Sequence, residues 1–173
     1  MFYLIRHGET NYMERNSKIY QGFGVNLSPL SESGIKQIKE TAKDPRLKNA
    51  DIILSSPYTR ALQTAAILSK ELGIDIVVES DLHEWLANKN YIYDKDSKAE
   101  QSYKEFIDCQ GEYLDGVERV WEDNMIMRRR VLSVLGKYGD DRDVIVACHG
   151  MIIQAVTEKH YPDYGEIMEF ELS

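Results

Sequence analysis

Four runs of strand length, residues 2–5, 51–54, 75–78 and 143–148, alternate along this chain with stretches whose apolar residues recur at helical spacing. That alternation restricts the fold more than any other feature of the sequence. Parallel neighbours need a long crossover, usually a helix, so strands interleaved with helices imply a largely parallel sheet. Such a sheet gathers its strand ends along one edge, and ligands of open α/β sheets bind outside the carboxyl ends. The residues just past each strand are therefore where chemistry is expected.

Those residues are polar at every strand end. Tyr3-Leu4-Ile5 runs into Arg6-His7-Gly8-Glu9-Thr10, where Gly8 permits a sharp turn and close approach of backbone to a ligand. Residues 143–148 form the clearest strand and break directly into His149-Gly150, before a helix from Met151 to about Lys159. The run 51–54 leads to Ser55-Ser56-Pro57-Tyr58-Thr59-Arg60. Ser56 before Pro57 reads as a helix N-cap and first-turn pair, which puts Arg60 in the first turn of a helix packed through Ala61, Ala65, Leu68 and Leu72 and stopped by Gly73. After 75–78 comes Leu82-His83-Glu84-Trp85. Each motif is a weak signal alone; four at one sheet edge make a specific pattern.

Elsewhere the sequence reads as support. A polar loop from residue 11 to 26 carries Arg15, Lys18 and Gln21-Gly22, and loops at the functional end of a sheet often touch substrate. Ser31 is a suitable N-cap for a helix with an Ile35, Ile38, Ala42 stripe, ended by Pro45. Residues 88–117 are polar and tyrosine-bearing, with helical residues around 102–107, and read as an insertion over the core and the active site. A firm helical pattern comes next, with Val120, Met127, Val131, Val134 and Leu135 on one face, and Arg128-Arg129-Arg130 is expected on a solvated face. Residues 167–172 alternate as a final edge strand.

At 173 residues the chain suits one domain, 1–173, with one core. A net charge of -8 argues against a general affinity for nucleic acid or anionic membrane, which need a basic face. No apolar run reaches membrane-spanning length, and the N-terminus enters the first strand without an export signal, so a cytoplasmic protein is expected. Cys109 and Cys148 are isolated and read as reduced thiols. Oligomeric state is not legible.

The gathered residues point to phosphoryl transfer on a small phosphorylated substrate. Arg6 and Arg60 can clamp phosphate oxygens through charge-assisted hydrogen bonds, aided by the helix N-terminus that carries Arg60. His7 as a neutral imidazole is a competent nucleophile, and His149, if protonated, would donate to the same oxygens. Glu84 could protonate the leaving oxygen and later deprotonate water. A metal site is disfavoured, because two guanidiniums would sit beside the cation and no His/Cys pair has zinc-like spacing.

With these residues assembled, the chain resembles the histidine phosphatase superfamily, also called the phosphoglycerate mutase-like family. Arg6-His7-Gly8-Glu9-Thr10 matches the opening motif, Pro29-Leu30-Ser31-Glu32-Ser33-Gly34 the next landmark, and Ser55-Ser56-Pro57 with Arg60-Ala61-Leu62-Gln63-Thr64-Ala65 the second arginine motif. Leu82 to Trp85 and His149-Gly150 complete the order. The resemblance implies a three-layer α/β/α sandwich around a mostly parallel sheet, a phosphohistidine at His7, an acid/base role for Glu84, a phosphate pocket of Arg6, Arg60 and His149, and neither metal nor organic cofactor. One departure stands out: members commonly carry Trp-Asn shortly after the opening motif, where this chain has Tyr12-Met13. Either Asn16 substitutes in a longer loop, with Gln21 and Gly22 as further candidate contacts, or that contact is absent. The resemblance also suggests that mutases are usually longer than this chain, which favours a metal-independent phosphatase over a phosphoglycerate mutase-type phosphotransferase, with a non-catalytic phospho-ligand binding module as the third reading.

Overall fold

The computed structural model describes residues 1–15, 24–92, 95–139 and 142–172. Five strands form a mixed sheet: β1 (Phe2–Arg6), β2 (Ile52–Ser55), β3 (Ile76–Val78), β4 (Val144–Cys148) and β5 (Ile167–Phe170), in the order β3-β2-β4-β1-β5. The first four are parallel to their neighbours, and β5 runs antiparallel along β1. The sheet is thus mostly parallel, as the alternation implied, and the tail is the edge strand.

Strand pleating sends alternate residues to two apolar layers. Leu4, Leu54, Val144, Val146 and Cys148 face a core built with helices α4 (Asp96–Asp108), α5 (Asn124–Leu135) and α6 (Gly150–Thr157). Ile5, Ile53, Ile145 and Ala147 face a second core completed by α2 (Glu32–Thr41) and α3 (Thr59–Leu72). Both faces of β4 are fully buried, which explains why it reads as an unbroken apolar run. The short helix α1 (Gly24–Leu27) packs against α3.

Several local expectations need correction. Ser56 is not the N-cap of α3; the helix begins at Thr59 with Tyr58 as cap, and the Ser56 hydroxyl instead accepts from the Tyr58 N–H at 3.3 Å. Arg60 still falls in the first turn. Helix α2 starts at the expected Ser31 cap but ends before Pro45, which opens a separate 3₁₀ turn. Val120 lies outside α5, exposed, because Asp123 caps that helix by accepting from Ile126 N–H. The helix within 88–117 spans α4, longer than the stretch around 102–107, and its Phe106 ring packs against Trp85 and Trp121 in the first core.

Of the run Arg128 to Arg130, Arg129 is exposed as expected, but Arg130 and in part Arg128 turn to neighbouring elements. Arg130 is largely buried and pairs with Glu122 at 2.9 Å, while Arg128 donates to carbonyls of Ala155 and Val156 at the end of α6. Both side chains hold neighbouring backbone, which a charge run seen only in sequence does not distinguish from solvation.

Candidate active site

The connections leaving β1 and β4 go to opposite faces, α2 to one core and α6 to the other. The two strands are adjacent, so a crevice opens between their carboxyl ends, the position where open α/β sheets hold ligands. His7 and His149 come directly after these two strands, and their rings lie 5.2 Å apart, edge to face.

His7 is buried. Its Nδ1 faces the carbonyl of Gly8 at 2.8 Å, so that nitrogen carries the ring proton and Nε2 keeps a lone pair. Arg60 Nε donates to that lone pair at 3.2 Å. Burial first, then the Arg60 charge, pull the His7 pKa down to about 3, against the Gly8 hydrogen bond that supports the charged form. The ring is therefore neutral near pH 7, with its Nε2 lone pair turned to the Arg60 guanidinium.

Arg60 also donates to the Val25 carbonyl at 3.0 Å and lies 5.3 Å from the Tyr58 ring centroid. Arg6 donates to Pro162 O at 2.7 Å and lies 3.9 Å from the Tyr164 ring centroid and 4.7 Å from that of Tyr161. His149 is fully buried, with Nε2 2.7 Å from the Ser56 hydroxyl. That hydroxyl also accepts from Tyr58 N–H, and a hydroxyl proton directed to Nε2 would put the His149 ring proton on Nδ1. Burial, Arg60 and His7 hold the His149 pKa well below the ordinary value. Sequence reasoning considered a protonated His149; the buried site instead favours the neutral ring. Among the described residues, the buried side-chain nitrogens without a hydrogen-bond partner are Arg6 Nε and His149 Nδ1.

Glu84 comes after β3 and a 3₁₀ turn, Ser80–Leu82. Its Oε1 accepts from Trp85 N–H at 2.9 Å. Burial raises its pKa, opposed by Arg60 and then by the Trp85 hydrogen bond, with Arg130 and Arg6 acting in the same direction as Arg60. A strap fixes this loop. Arg130 donates to Asp81 O at 2.5 Å and His83 O at 2.8 Å, and its Glu122 partner accepts from Leu86 N–H at 3.0 Å. Glu122 O in turn accepts from the Trp85 indole at 2.7 Å. His83 is buried beside Tyr58, with ring centroids 6.3 Å apart.

The remaining motif residues hold the loop after β1. Ser31 donates to Glu9 Oε1 at 2.5 Å, Gln63 Oε1 accepts from Leu30 N–H, and Thr64 Oγ1 accepts from Gly8 N–H. Gly34 sits so close that a Cβ there would lie 2.2 Å from Glu9 O. Tyr161, Tyr164 and Glu122 escaped sequence reasoning, since none belongs to a local pattern, and Tyr58 and Arg130, though inside patterns, were given no role; the fold alone brings them to the site. Asn16, Gln21 and Gly22 lie outside the described residues. Among the described residues no cluster of three or more His, Cys, Asp or Glu side chains suits a metal, and no helix is long and apolar enough to cross a membrane.

Among known proteins, the profile of the histidine phosphatase superfamily (branch 1) matches residues 2–162. The chain belongs to that superfamily. This histidine phosphatase is 26% identical over 157 residues to the uncharacterized phosphatase PhoE of Bacillus subtilis (strain 168), covering 88% of the chain and 73% of PhoE. It is 40% identical over 83 residues to a Hydrogenobacter thermophilus protein whose name is that of a phosphoserine phosphatase, a match spanning 47% of the chain and only 38% of that protein. Among solved structures, a mycobacterial glucosyl-3-phosphoglycerate phosphatase with inorganic phosphate superposes with a TM-score of 0.65 at 20% identity, over 90% of this chain and 76% of that one. A phosphoglycerate mutase from Bacillus anthracis str. Sterne gives 0.63 at 19%, over 91% and 78%. These superpositions establish the α/β sandwich fold.

Proposed function

We propose that this histidine phosphatase is a metal-independent phosphomonoesterase that hydrolyses a small phosphorylated metabolite through a phosphohistidine on His7. The observation that carries the reading is the neutral His7, its Nε2 accepting from Arg60 Nε, in a site where Arg6 and His149 each keep a buried nitrogen, Arg6 Nε and His149 Nδ1, without a partner among the described residues. Buried donors without acceptors are costly unless something anionic binds them, and a phosphoryl group supplies several acceptor oxygens.

In this mechanism Arg6, Arg60 and His149 Nδ1 hold the phosphoryl oxygens while His7 Nε2 attacks phosphorus. The P–N bond forms as the P–O bond to the alcohol breaks, and Glu84 in its acid form gives its proton to the leaving oxygen. Donors fixed before the reaction stabilise the charge that develops there. The positive charge that arises on the His7 ring is met by the Nδ1–H bond to Gly8 O. Glu84, now a carboxylate, takes a proton from water as its oxygen attacks phosphorus, and the P–N bond breaks to release inorganic phosphate.

Asn16, Gln21 and Gly22 are proposed as substrate contacts, and segment 88–117 as the cover over the site. Tyr103 on α4 lies against Trp85, next to Glu84, with ring centroids 5.9 Å apart, in support of that cover. Cys109 and Cys148 are free thiols, in keeping with a cytoplasmic setting. A mutase is the second reading, favoured by relatives such as the probable phosphoglycerate mutase GpmB of Enterobacter sp. (strain 638), 35% identical over 83 residues.

Hydrolysis of an aryl phosphate in excess chelator, compared between the native protein and His7→Ala, tests the proposal. Phosphate release by the native protein alone supports it, and equal release by both sinks it. Transfer of a labelled phosphoryl group to an isomer of the substrate rather than to water would move the protein to the mutases.

A further inference from the structure

The connection from α6 to β5, residues 158–166, is built against Arg6. Gly165 N–H donates to Arg6 O at 2.9 Å and Arg6 N–H to Glu166 O at 3.3 Å, so the turn is bonded to the backbone of the residue it covers. Glu166 braces the turn from within, accepting from Asp163 N–H at 2.7 Å and from His160 Nε2 at 2.8 Å, and Thr41 of α2 donates to Gly165 O at 2.8 Å. From this bracket Tyr161 and Tyr164 reach the Arg6 guanidinium. Their ring centroids lie 4.7 and 3.9 Å from its Cζ, inside the range of about 6 Å over which a ring face attracts a cation. Tyr161 is pressed onto the start of α6, where a Cβ on Gly150 would lie 2.3 Å from the tyrosine Cζ. Tyr164 also meets the nucleophile, with its ring centroid 5.8 Å from that of His7.

Two arginines near the site are held in different ways. Arg130 pairs with the Glu122 carboxylate, which offsets its charge and suits it to a structural strap. The partners of Arg6 among the described residues are neutral: the Pro162 carbonyl on Nη1 and the two tyrosine rings. A ring face attracts a guanidinium without cancelling its charge, so the charge stays available to an anion. With Nη1 taken by Pro162, the edge that remains is Nε with Nη2, and Nε is buried without a partner among the described residues. That edge carries two parallel N–H donors, the geometry that matches two phosphoryl oxygens.

We propose that Tyr161 and Tyr164 are positioning residues for the phosphoryl group, their ring faces holding the Arg6 guanidinium so that its Nε–Nη2 edge is presented to the substrate. The inference rests on the phosphoryl-binding reading above. The rings act through Arg6, and their hydroxyls have no part in it.

Inorganic phosphate, titrated calorimetrically into the whole protein, reports on Arg6 without requiring turnover. Tyr161→Phe and Tyr164→Phe should bind phosphate as the native protein does. Tyr161→Leu and Tyr164→Leu should each bind it about three- to tenfold more weakly. Both tyrosines are partly exposed, so these changes open no cavity in either core. Tyr164→pentafluorophenylalanine separates a ring that attracts the cation from one that only fills space: fluorine withdraws electron density from the ring face while the ring stays in place, and binding should weaken as in Tyr164→Leu. This variant also carries the test if a leucine variant fails to fold. Native-like binding by the pentafluorophenylalanine variant, or a loss in Tyr164→Phe as large as in Tyr164→Leu, overturns the inference and leaves the hydrolase reading intact. A native protein that does not bind phosphate overturns both. The expected series without phosphate release from an aryl phosphate would leave the inference standing and defeat the hydrolase.

Discussion

At the scale of single residues, protonation states set the chemistry. In the proposed mechanism His7 can attack because its proton sits on Nδ1 against Gly8 O and its pKa is lowered to about 3, so the ring stays neutral over the whole physiological range. Acid inactivation above pH 4 is therefore not expected to follow His7. Glu84 behaves oppositely: burial raises its pKa, the proposed acid form persists above the ordinary carboxylate range, and it is lost as pH rises through the raised value. Turnover of an alkyl phosphate should decline on that alkaline side. In Glu84→Gln the alkaline limb should vanish, with kcat down roughly 10²–10⁴-fold on alkyl esters and much less on aryl esters, whose leaving group needs no proton. Paired pH profiles on both ester types check this, and equal losses would remove Glu84 from the acid role.

At the scale of elements, two devices hold loops in position. The strap from α5 is one: Arg130 and Glu122 side chains contact backbone at Asp81, His83 and Leu86, and the Trp85 indole donates to Glu122 O, bracketing Glu84. Glu122→Ala leaves a buried guanidinium unpaired and is expected to cost about 3–5 kcal/mol, read from urea unfolding. Arg130→Lys keeps the charge but loses the fork that reaches several acceptors. It should lower kcat on alkyl phosphates more than on aryl phosphates, a pattern that simple destabilisation does not produce. The other device is the contact of the loop after β1 with α2. Gly34→Ala places a Cβ 2.2 Å from Glu9 O, so backbone must move, with an expected cost of about 1–3 kcal/mol and a fall in kcat for every substrate.

For the whole molecule, burying titratable groups at the sheet edge couples the site to stability. His7, His149 and His83 all have depressed pKa values in the fold. The folded state thus binds fewer protons than the unfolded chain below about pH 6.5, and each such histidine removes up to about 1.4 kcal/mol per pH unit as pH falls. Glu84 has the opposite sign: its raised pKa contributes stability that is full below the unfolded value and fades as pH rises through the folded one. The histidines outnumber it. The urea midpoint should drop between pH 7.5 and pH 5.5, and a midpoint that rises over that interval would contradict the burial of these rings.

The sequence determined the sheet, its mostly parallel sense and the strand ends that carry Arg6, His7, Arg60, Glu84 and His149, because apolar runs and helical spacing are local and each motif abuts its strand. It identified Ser31 as a cap and Gly73 as a stop for the same reason. Tertiary structure alone decided what surrounds those residues. Tyr161 and Tyr164 meet Arg6 across more than 150 positions of chain, and Arg130 reaches the Glu84 loop from another helix. Arg130 looks solvated until the fold supplies Glu122, and a protonated His149 looks plausible until burial favours the neutral ring. Proton positions, ion-pair partners and ring contacts depend on dielectric and distance, and only the packed sheet edge sets either.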